Sequence, residues 1–199
     1  LFRSRGFLRA SVTPRLSADK DTPERAELIL NIEPGPRMAI GSATVTGASV
    51  DTEADVVRQL ELEAGRPFDQ VAIDARIAAY EESLRGRGYY EARVRESHVP
   101  IGDQQTVAVS VTIEPGPRVS VMFAGDPLPA SKGRELVPVR EERSIDQDLL
   151  EDASARIESL LKEQGYRTAR APYSRDSKGN EHVVTFRSEE HTSELQSRV

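Results

Sequence analysis

The sequence predicts an α+β fold made of tandem βααββ repeats, each with two helices packed on a small three-stranded mixed sheet. A glycine followed by an aromatic residue recurs at Gly6, Gly88 and Gly165, which are 82 and 77 positions apart. The hexapeptide Ile-Glu-Pro-Gly-Pro-Arg at 32–37 returns unchanged at 113–118, 81 positions later. Between these markers, apolar residues change from strand spacing to helical spacing and back. The repeat is therefore about 80 residues long.

One complete repeat is expected from residue 36 to residue 115. It opens with a β-branched stretch, Met38 to Thr46, that predicts a strand. Asp51 or Thr52 can then accept hydrogen bonds from the first-turn amides of a short helix, which we expect to end at Gly65. Three apolar residues recur at helical spacing inside this first helix, namely Val56, Val57 and Leu60.

A longer second helix follows in the same repeat. Phe68 precedes Asp69 as an apolar residue commonly precedes an N-cap, so the helix should begin after Asp69. Gly86 and Gly88 should end it. Its buried face is marked by apolar residues at steps of four, three and four, namely Ile73, Ile77, Tyr80 and Leu84.

Two strands complete the repeat as a hairpin. A half-buried second strand is predicted from Tyr89 to Glu96, because apolar and charged residues alternate there. After a polar turn at Gly102, a third strand alternates in the same way, with Val107, Val109, Val111 and Ile113 on one face.

The flanking segments are read as incomplete or irregular copies of the same unit. Residues 1–35 are expected to be the hairpin half of a truncated repeat, so that the chain starts in the middle of a domain. In that half, Leu8, Ala10 and Val12 should share one strand, and Leu28, Leu30 and Ile32 the other.

Residues 116–186 are expected to form a third repeat. Its first strand carries Val119, and Pro138 should interrupt its first helix. Residues 187–199 resemble a translated sequencing adapter and are expected to be a non-native tail, with the natural chain continuing past Phe186. The second helix of this repeat carries the apolar residues Leu150, Ala153, Ile157, Leu160 and Leu161.

The order βααββ, the glycine-aromatic step and the Glu-Pro-Gly-Pro-Arg junction resemble POTRA (polypeptide-transport-associated) domains. The resemblance implies a periplasmic array, itself soluble, that is tethered to a C-terminal outer-membrane β-barrel. It implies a BamA-type assembly factor, or a related translocation or two-partner secretion protein. The implied partners are unfolded outer-membrane proteins and accessory assembly lipoproteins.

The second strand is the candidate site for such a partner. It should lie at a sheet edge, where an extended client can pair with free backbone groups by β-augmentation. Two alternatives stay open: the charges can simply protect the edge from aggregation, and the tyrosines can serve packing. The candidate residues are Tyr89, Tyr90, Glu91, Arg93 and Arg95.

Two proline-glycine-proline junctions form the second candidate feature. Proline restricts the backbone, so these junctions should limit the orientations of adjacent repeats. Alternatively, they serve only as convenient turns. They comprise Pro34, Gly35 and Pro36 in the first copy and Pro115, Gly116 and Pro117 in the second.

The remaining features argue against other functional classes. The chain has no cysteine and three histidines, His98, His182 and His191, without a metal-ligand spacing. No nucleotide-binding or nucleophile motif is present, so we expect no catalytic, cofactor or metal site. A net charge of −6 argues against a nucleic-acid partner. No apolar run reaches the roughly 20 residues of a membrane-spanning helix.

Two alternatives to an assembly factor stay open. One is an interaction scaffold such as the POTRA-like module of cell-division proteins, which generally carry one copy. The other is a βααββ nucleic-acid binder, which would need a basic groove and a Gly-x-x-Gly loop that the sequence lacks.

Overall fold

The computed structural model describes residues 2–18, 26–48, 50–102, 105–125, 133–142 and 145–188. The chain forms two compact units. Unit 1 combines Leu1–Glu81 with Val94–Glu114, and unit 2 combines Glu82–Arg93 with Pro115–Val199. Among the described helices, none is long and apolar enough to cross a membrane.

Unit 1 begins with a short 3-10 helix, Arg3–Arg5, and the hairpin of β1 (Ser11–Ala18) and β2 (Ala26–Glu33). The two strands are antiparallel, as the sequence predicts for the first hairpin. The prediction that Leu8 and Ala10 belong to the first strand is wrong. The Ala10 N–H instead closes a turn onto the Phe7 carbonyl at 3.0 Å, so the ladder starts only at Ser11.

The second sheet of unit 1 contains β3 (Ala39–Gly47), β4 (Arg93–Ile101) and β5 (Thr106–Glu114) in the order β3-β5-β4. Strand β3 runs parallel to β5, and β4 and β5 are the arms of the second hairpin. The predicted mixed sheet is confirmed. Its apolar face is buried, with Ile40, Val94, Val107, Val109, Val111 and Ile113 all in the core.

Two helices complete this repeat, α1 (Glu53–Gln59) and α2 (Gln70–Gly86). Thr52 caps α1 by accepting a hydrogen bond from Asp55 N at 3.2 Å. The prediction that α1 continues to Gly65 is wrong, because Glu61 takes a positive φ of 53°. The predicted face of α2 is confirmed as buried: Ile73, Ile77, Tyr80 and Leu84.

Unit 2 repeats the same sheet with β6 (Arg118–Ala124), β7 (Tyr173–Lys178) and β8 (Glu181–Arg187). Their order is β6-β8-β7, with β6 parallel and β7 antiparallel to β8. This order matches that of unit 1 strand for strand. The two sheets are thus two copies of one topology.

The first helix of the third repeat is broken, as predicted. It consists of α3 (Gly133–Leu136) and α4 (Val139–Glu142), with Pro138 between them. Proline lacks the N–H that would continue the helical ladder. Helix α5 (Gln147–Glu163) then packs an apolar face into the core, namely Leu150, Ala153, Ile157 and Leu161.

The last strand extends beyond Phe186. Arg187 ends β8, and the N–H of Ser188 donates to the Ala124 carbonyl at 2.8 Å. The rest of the expected non-native tail, residues 189–199, lies outside the described residues.

Candidate functional site

Strand β4 lies at an edge of the unit 1 sheet, because β5 is its neighbour on one side and no strand of the described residues pairs with it on the other. The sequence predicts this edge position correctly. The predicted start of the strand is wrong, since β4 begins at Arg93 and not at Tyr89. Of the five candidate residues, the structure therefore places only Arg93 and Arg95 within the strand.

The three other candidates lie in the turn that precedes β4. The N–H of Tyr89 donates to the Leu84 carbonyl, and that of Ala92 donates to the Tyr89 carbonyl, both at 3.1 Å. These bonds close the end of the helix and the following turn. Tyr90 packs against the core of unit 2, and Glu91 is exposed.

The outward face of β4 carries exposed charged side chains, as predicted from Arg93 and Arg95. Arg95 lies 3.6 Å from the carboxylate of Glu114 on β5, and both side chains are mostly exposed. Exposed ion pairs of this kind add little stability. The charged side chains on this face are therefore solvated and are not held in place by the ion pair.

The inward face of β4 carries a contact between two polar residues, Glu96 and His98, that the sequence does not predict. Val94 is buried in the core. Nδ1 of His98 lies 2.9 Å from Oε1 of Glu96, and the His98 ring packs on Phe68 with ring centroids 4.5 Å apart. The alternation of polar side chains with Val94 gives no hint of this pairing, because Phe68 is 30 positions away in sequence.

The outer edge of β3, on the opposite side of the sheet, is already hydrogen-bonded. The N–H of Ile40 donates to the Arg66 carbonyl at 2.8 Å, and the Ile40 carbonyl accepts from Gly65 N at 2.7 Å. Further along, the N–H of Val45 donates to Oε1 of Glu53 at 3.3 Å. The link between α1 and α2 and a side chain of α1 thus occupy this edge.

Within the described part of the chain, one backbone amide on the outer edge of β4 is already hydrogen-bonded. The N–H of Val94 donates to Oε1 of Glu81 on α2 at 2.8 Å. In an antiparallel strand, alternate residues direct their backbone groups away from the neighbouring strand. The backbone groups of Glu96, His98 and Pro100 therefore point away from β5, as those of Val94 do, although the side chains of Val94, Glu96 and His98 lie on the inward face of the sheet. In the described part of the chain, neither Glu96 nor His98 has a backbone hydrogen bond outside the sheet.

The two repeat junctions have the same backbone geometry. Gly35 and Gly116, at the centre of the two Pro-Gly-Pro segments, have φ values of 66° and 68°. Both are in the left-handed region that favours glycine. A Cβ at Gly116 would lie 3.1 Å from Cβ of Glu91, and one at Gly35 would lie 3.5 Å from Cβ of Arg9. Each junction glycine therefore lies against the residue that is three positions after the glycine of a glycine-aromatic step.

Comparison with known proteins identifies the central repeat. Residues 38–116 match the family model for POTRA, described as a surface antigen variable number repeat. Residues 38–116 form a POTRA domain. The match covers the sheet β3-β5-β4 and both helices, so the predicted resemblance is confirmed for this part of the chain.

Solved structures of POTRA domains are similar to a larger part of the chain, at low identity. POTRA domains 3–5 of BamA from Haemophilus influenzae share 18% identity at a TM-score of 0.44, over 95% of this chain and 76% of that one. POTRA domains 1–2 of Omp85 from Anabaena share 20% at 0.36, over 78% and 96%. CdiB from Escherichia coli shares 21% at 0.33, over 93% and 32%. None of the curated proteins matches the chain.

A charge cluster lies at the start of α2 in the POTRA domain. Oδ1 of Asp69 accepts from Ala72 N at 3.1 Å, as predicted for an N-cap. Its Oδ2 lies 3.3 Å from Nη1 of Arg5 and 3.5 Å from Nη2 of Arg37. Burial raises the pKa of Asp69, but the hydrogen bond from Ala72 and the two guanidinium groups lower it more, so the pKa lies below its ordinary value. The cluster joins residues from both sides of the first junction.

No group of metal-binding side chains is found among the described residues. The two histidines described have other hydrogen-bond partners. His98 lies beside Glu96 in the POTRA domain, and Nδ1 of His182 lies 2.6 Å from Oγ of Ser177 in the third repeat.

Proposed function

We propose that the chain is a periplasmic, polypeptide-binding array of a BamA-type outer-membrane assembly factor, or of a related translocation or secretion protein. Extended segments of unfolded outer-membrane proteins would add to strand β4 by β-augmentation. The observation that carries the proposal is the asymmetry of the POTRA sheet. The outer edge of β3 is hydrogen-bonded at Ile40 and Val45, whereas β4 keeps outward backbone groups at Glu96 and His98.

Backbone pairing suits a receptor for many clients. Main-chain hydrogen bonds do not depend on the client's side chains, and each adds about 0.5–1.5 kcal/mol net. A few such bonds give weak binding, so that a client is held and then released to the next step. The exposed charges of Arg93 and Arg95 on the outer face also keep the free edge from pairing with another copy.

The junctions add a second element to the proposal. The prolines of Pro34–Pro36 and Pro115–Pro117 restrict the backbone on either side of a left-handed glycine. We propose that they limit the orientations of neighbouring repeats and so keep successive edges available to one client. Accessory assembly lipoproteins would bind elsewhere on the array.

Photo-crosslinking in the full chain tests this function. A photoreactive phenylalanine analogue would replace Arg95 on β4 or, as the control, Ala79 on the exposed side of α2. Each variant would be mixed with an outer-membrane barrel protein freshly diluted from urea. We expect adducts from position 95 that exceed those from position 79 severalfold. Equal adducts from both positions, or none, would contradict the proposal and favour the interaction scaffold.

A further inference from the structure

The glutamate that occupies the β4 edge has an equivalent in the third repeat. Oε1 of Glu81 accepts from Val94 N at 2.8 Å, and Oε1 of Glu158 accepts from Ala171 N at 3.2 Å. Both pairs join the long helix to the chain where it enters the edge strand: Val94 is the second residue of β4, and Ala171 lies two residues before β7 begins at Tyr173. The two glutamates and the two amides are each 77 positions apart, which is the offset between the last two glycine-aromatic steps. The contact therefore belongs to the repeat and not to one chance side-chain position.

A carboxylate on an edge amide closes that amide to an added strand. Hydrogen bonds to charged acceptors are stronger than those between neutral groups, so a client carbonyl competes poorly with Glu81 for the Val94 N–H. Oε1 of Glu81 also occupies the position that a client carbonyl oxygen would take at this amide. An added strand would therefore stop short of Val94.

Proline limits the other end of β4. Pro100 has no N–H, so it offers an added strand an acceptor but no donor. The outward donors that remain between the two limits belong to Glu96 and His98. Their side chains pack inward, with His98 against Phe68 and beside Glu96, which holds this part of the strand in place. On the outer face, Val99 is 65% exposed and offers a contact to an apolar client residue.

We propose that β4 accepts an added strand only along a short window, Glu96–Val99, with Glu81 as the stop at one end and Pro100 at the other. This inference rests on the proposed function. The partner is an extended segment of about four residues with an apolar side chain beside Val99. In the third repeat, the amide that Glu158 closes belongs to Ala171, which precedes β7 (Tyr173–Lys178), and β7 itself contains no proline. Its window therefore extends along the whole strand.

The test uses the full chain and a fluorescent decapeptide of alternating valine and threonine. Its dissociation constant would be measured by anisotropy for the unmodified chain, Glu81→Ala and Glu81→Gln. Because Gln keeps a carbonyl acceptor for Val94, it is the matched control. Glu81→Ala should bind about fivefold tighter, as expected for one added hydrogen bond of about 1 kcal/mol. Glu81→Gln, whose neutral acceptor holds the Val94 amide less strongly, should have an affinity between those of Glu81→Ala and the unmodified chain.

Amide exchange by nuclear magnetic resonance locates the bound peptide. In the unmodified chain, the peptide should slow exchange at Glu96 and His98 and leave Val94 unchanged, whereas in Glu81→Ala it should also slow Val94. Pro100→Thr should extend the protected stretch to position 100, which keeps the inference testable if Glu81→Ala does not fold. A decapeptide that carries N-methyl groups on the pairing amides should not bind.

Two results would overturn the inference. If the peptide slows exchange at Val94 in the unmodified chain, or if Glu81→Ala binds it no tighter than the unmodified chain does, Glu81 is not a stop, although augmentation itself stands. If the peptide protects no β4 amide in any variant, the proposed function fails as well.

Discussion

The backbone N–H of Met38 donates to the carbonyl oxygen of Gly6 at 2.8 Å. The equivalent pair one repeat later, Val119 and Gly88, has the same distance of 2.8 Å. Gly6 and Gly88 also have nearly the same φ, 91° and 94°. The two sequence markers that define the repeat thus meet in space, because the glycine of each glycine-aromatic step accepts a hydrogen bond from the residue that directly follows the hexapeptide.

Alanine at the three equivalent glycines should destabilise the chain to different degrees. All three have a positive φ, which costs a side chain about 1–2 kcal/mol. A Cβ at Gly6 would lie 2.1 Å from the Phe68 carbonyl oxygen and one at Gly88 would lie 2.8 Å from that of Val119, whereas at Gly165 no described atom lies within 4 Å. Urea unfolding should therefore rank Gly6→Ala as most destabilising and Gly165→Ala as least. An equal loss of unfolding free energy for all three variants would show that the close contacts at Gly6 and Gly88 contribute nothing to the difference.

A matched pair of isoleucines tests the packing of the first hairpin. Ile32 and Ile113 occupy the same position of the repeated hexapeptide, but Ile32 is 43% exposed and Ile113 is fully buried. Ile113→Ala should lower the free energy of unfolding by about 2–5 kcal/mol, and Ile32→Ala by less than about 1 kcal/mol. Urea titration followed by circular dichroism measures both. Comparable losses of unfolding free energy would mean that the side of the first hairpin that carries Ile32 is packed in solution.

Two substitutions at Asp69 separate its N-cap role from its ion pairs. Asn caps helices as well as Asp does, so Asp69→Asn removes only the attraction to Arg5 and Arg37. These arginines are about half exposed, and the loss should stay below about 1 kcal/mol. Asp69→Ala also removes the cap and should cost about 0.5–2 kcal/mol more. Thermal unfolding of both variants checks that Asp69→Ala is the less stable. An equal loss of stability in the two variants would contradict the N-cap role.

The lowered pKa of Asp69 predicts a pH dependence. The folded protein binds fewer protons at this carboxyl than the unfolded chain does, so its contribution is complete above the ordinary pKa of 3.8 and disappears as the pH falls through the lower folded value. The difference in unfolding free energy between the unmodified chain and Asp69→Asn should therefore be constant from pH 7 to pH 5 and shrink below pH 4. A difference that grows in acid would contradict this sign.

Repetition and periodicity made most of the fold predictable. The steps of four and three from Ile73 to Leu84 locate the buried face of α2, and Pro138 predicts the break between α3 and α4. These features are local, because they depend on residues within one or two helical turns. The POTRA resemblance likewise depends on markers that can be read directly from the chain.

The features that could not be predicted depend on which backbone and side-chain groups meet in the folded chain. The start of β4 moves to Arg93 because Tyr89 and Ala92 form local turn bonds. The bond between Glu81 and Val94 joins a helix to a strand 13 residues later. In the sequence, Glu81 is one of two adjacent glutamates on a helix, and only the recurrence of a glutamate 77 positions later, at Glu158, could have singled it out.

Hydrogen exchange at the two edges of the sheet shows which edge receives an extended client. The full chain would be compared with and without an unfolded outer-membrane barrel protein kept soluble in dilute urea, with the same urea in the control. We expect slower exchange at Glu96 and His98 on β4, with no change at Ile40 and Val45 on β3. Protection of β3 alone, or unchanged exchange along both edges, would contradict the claim that this array receives clients on β4.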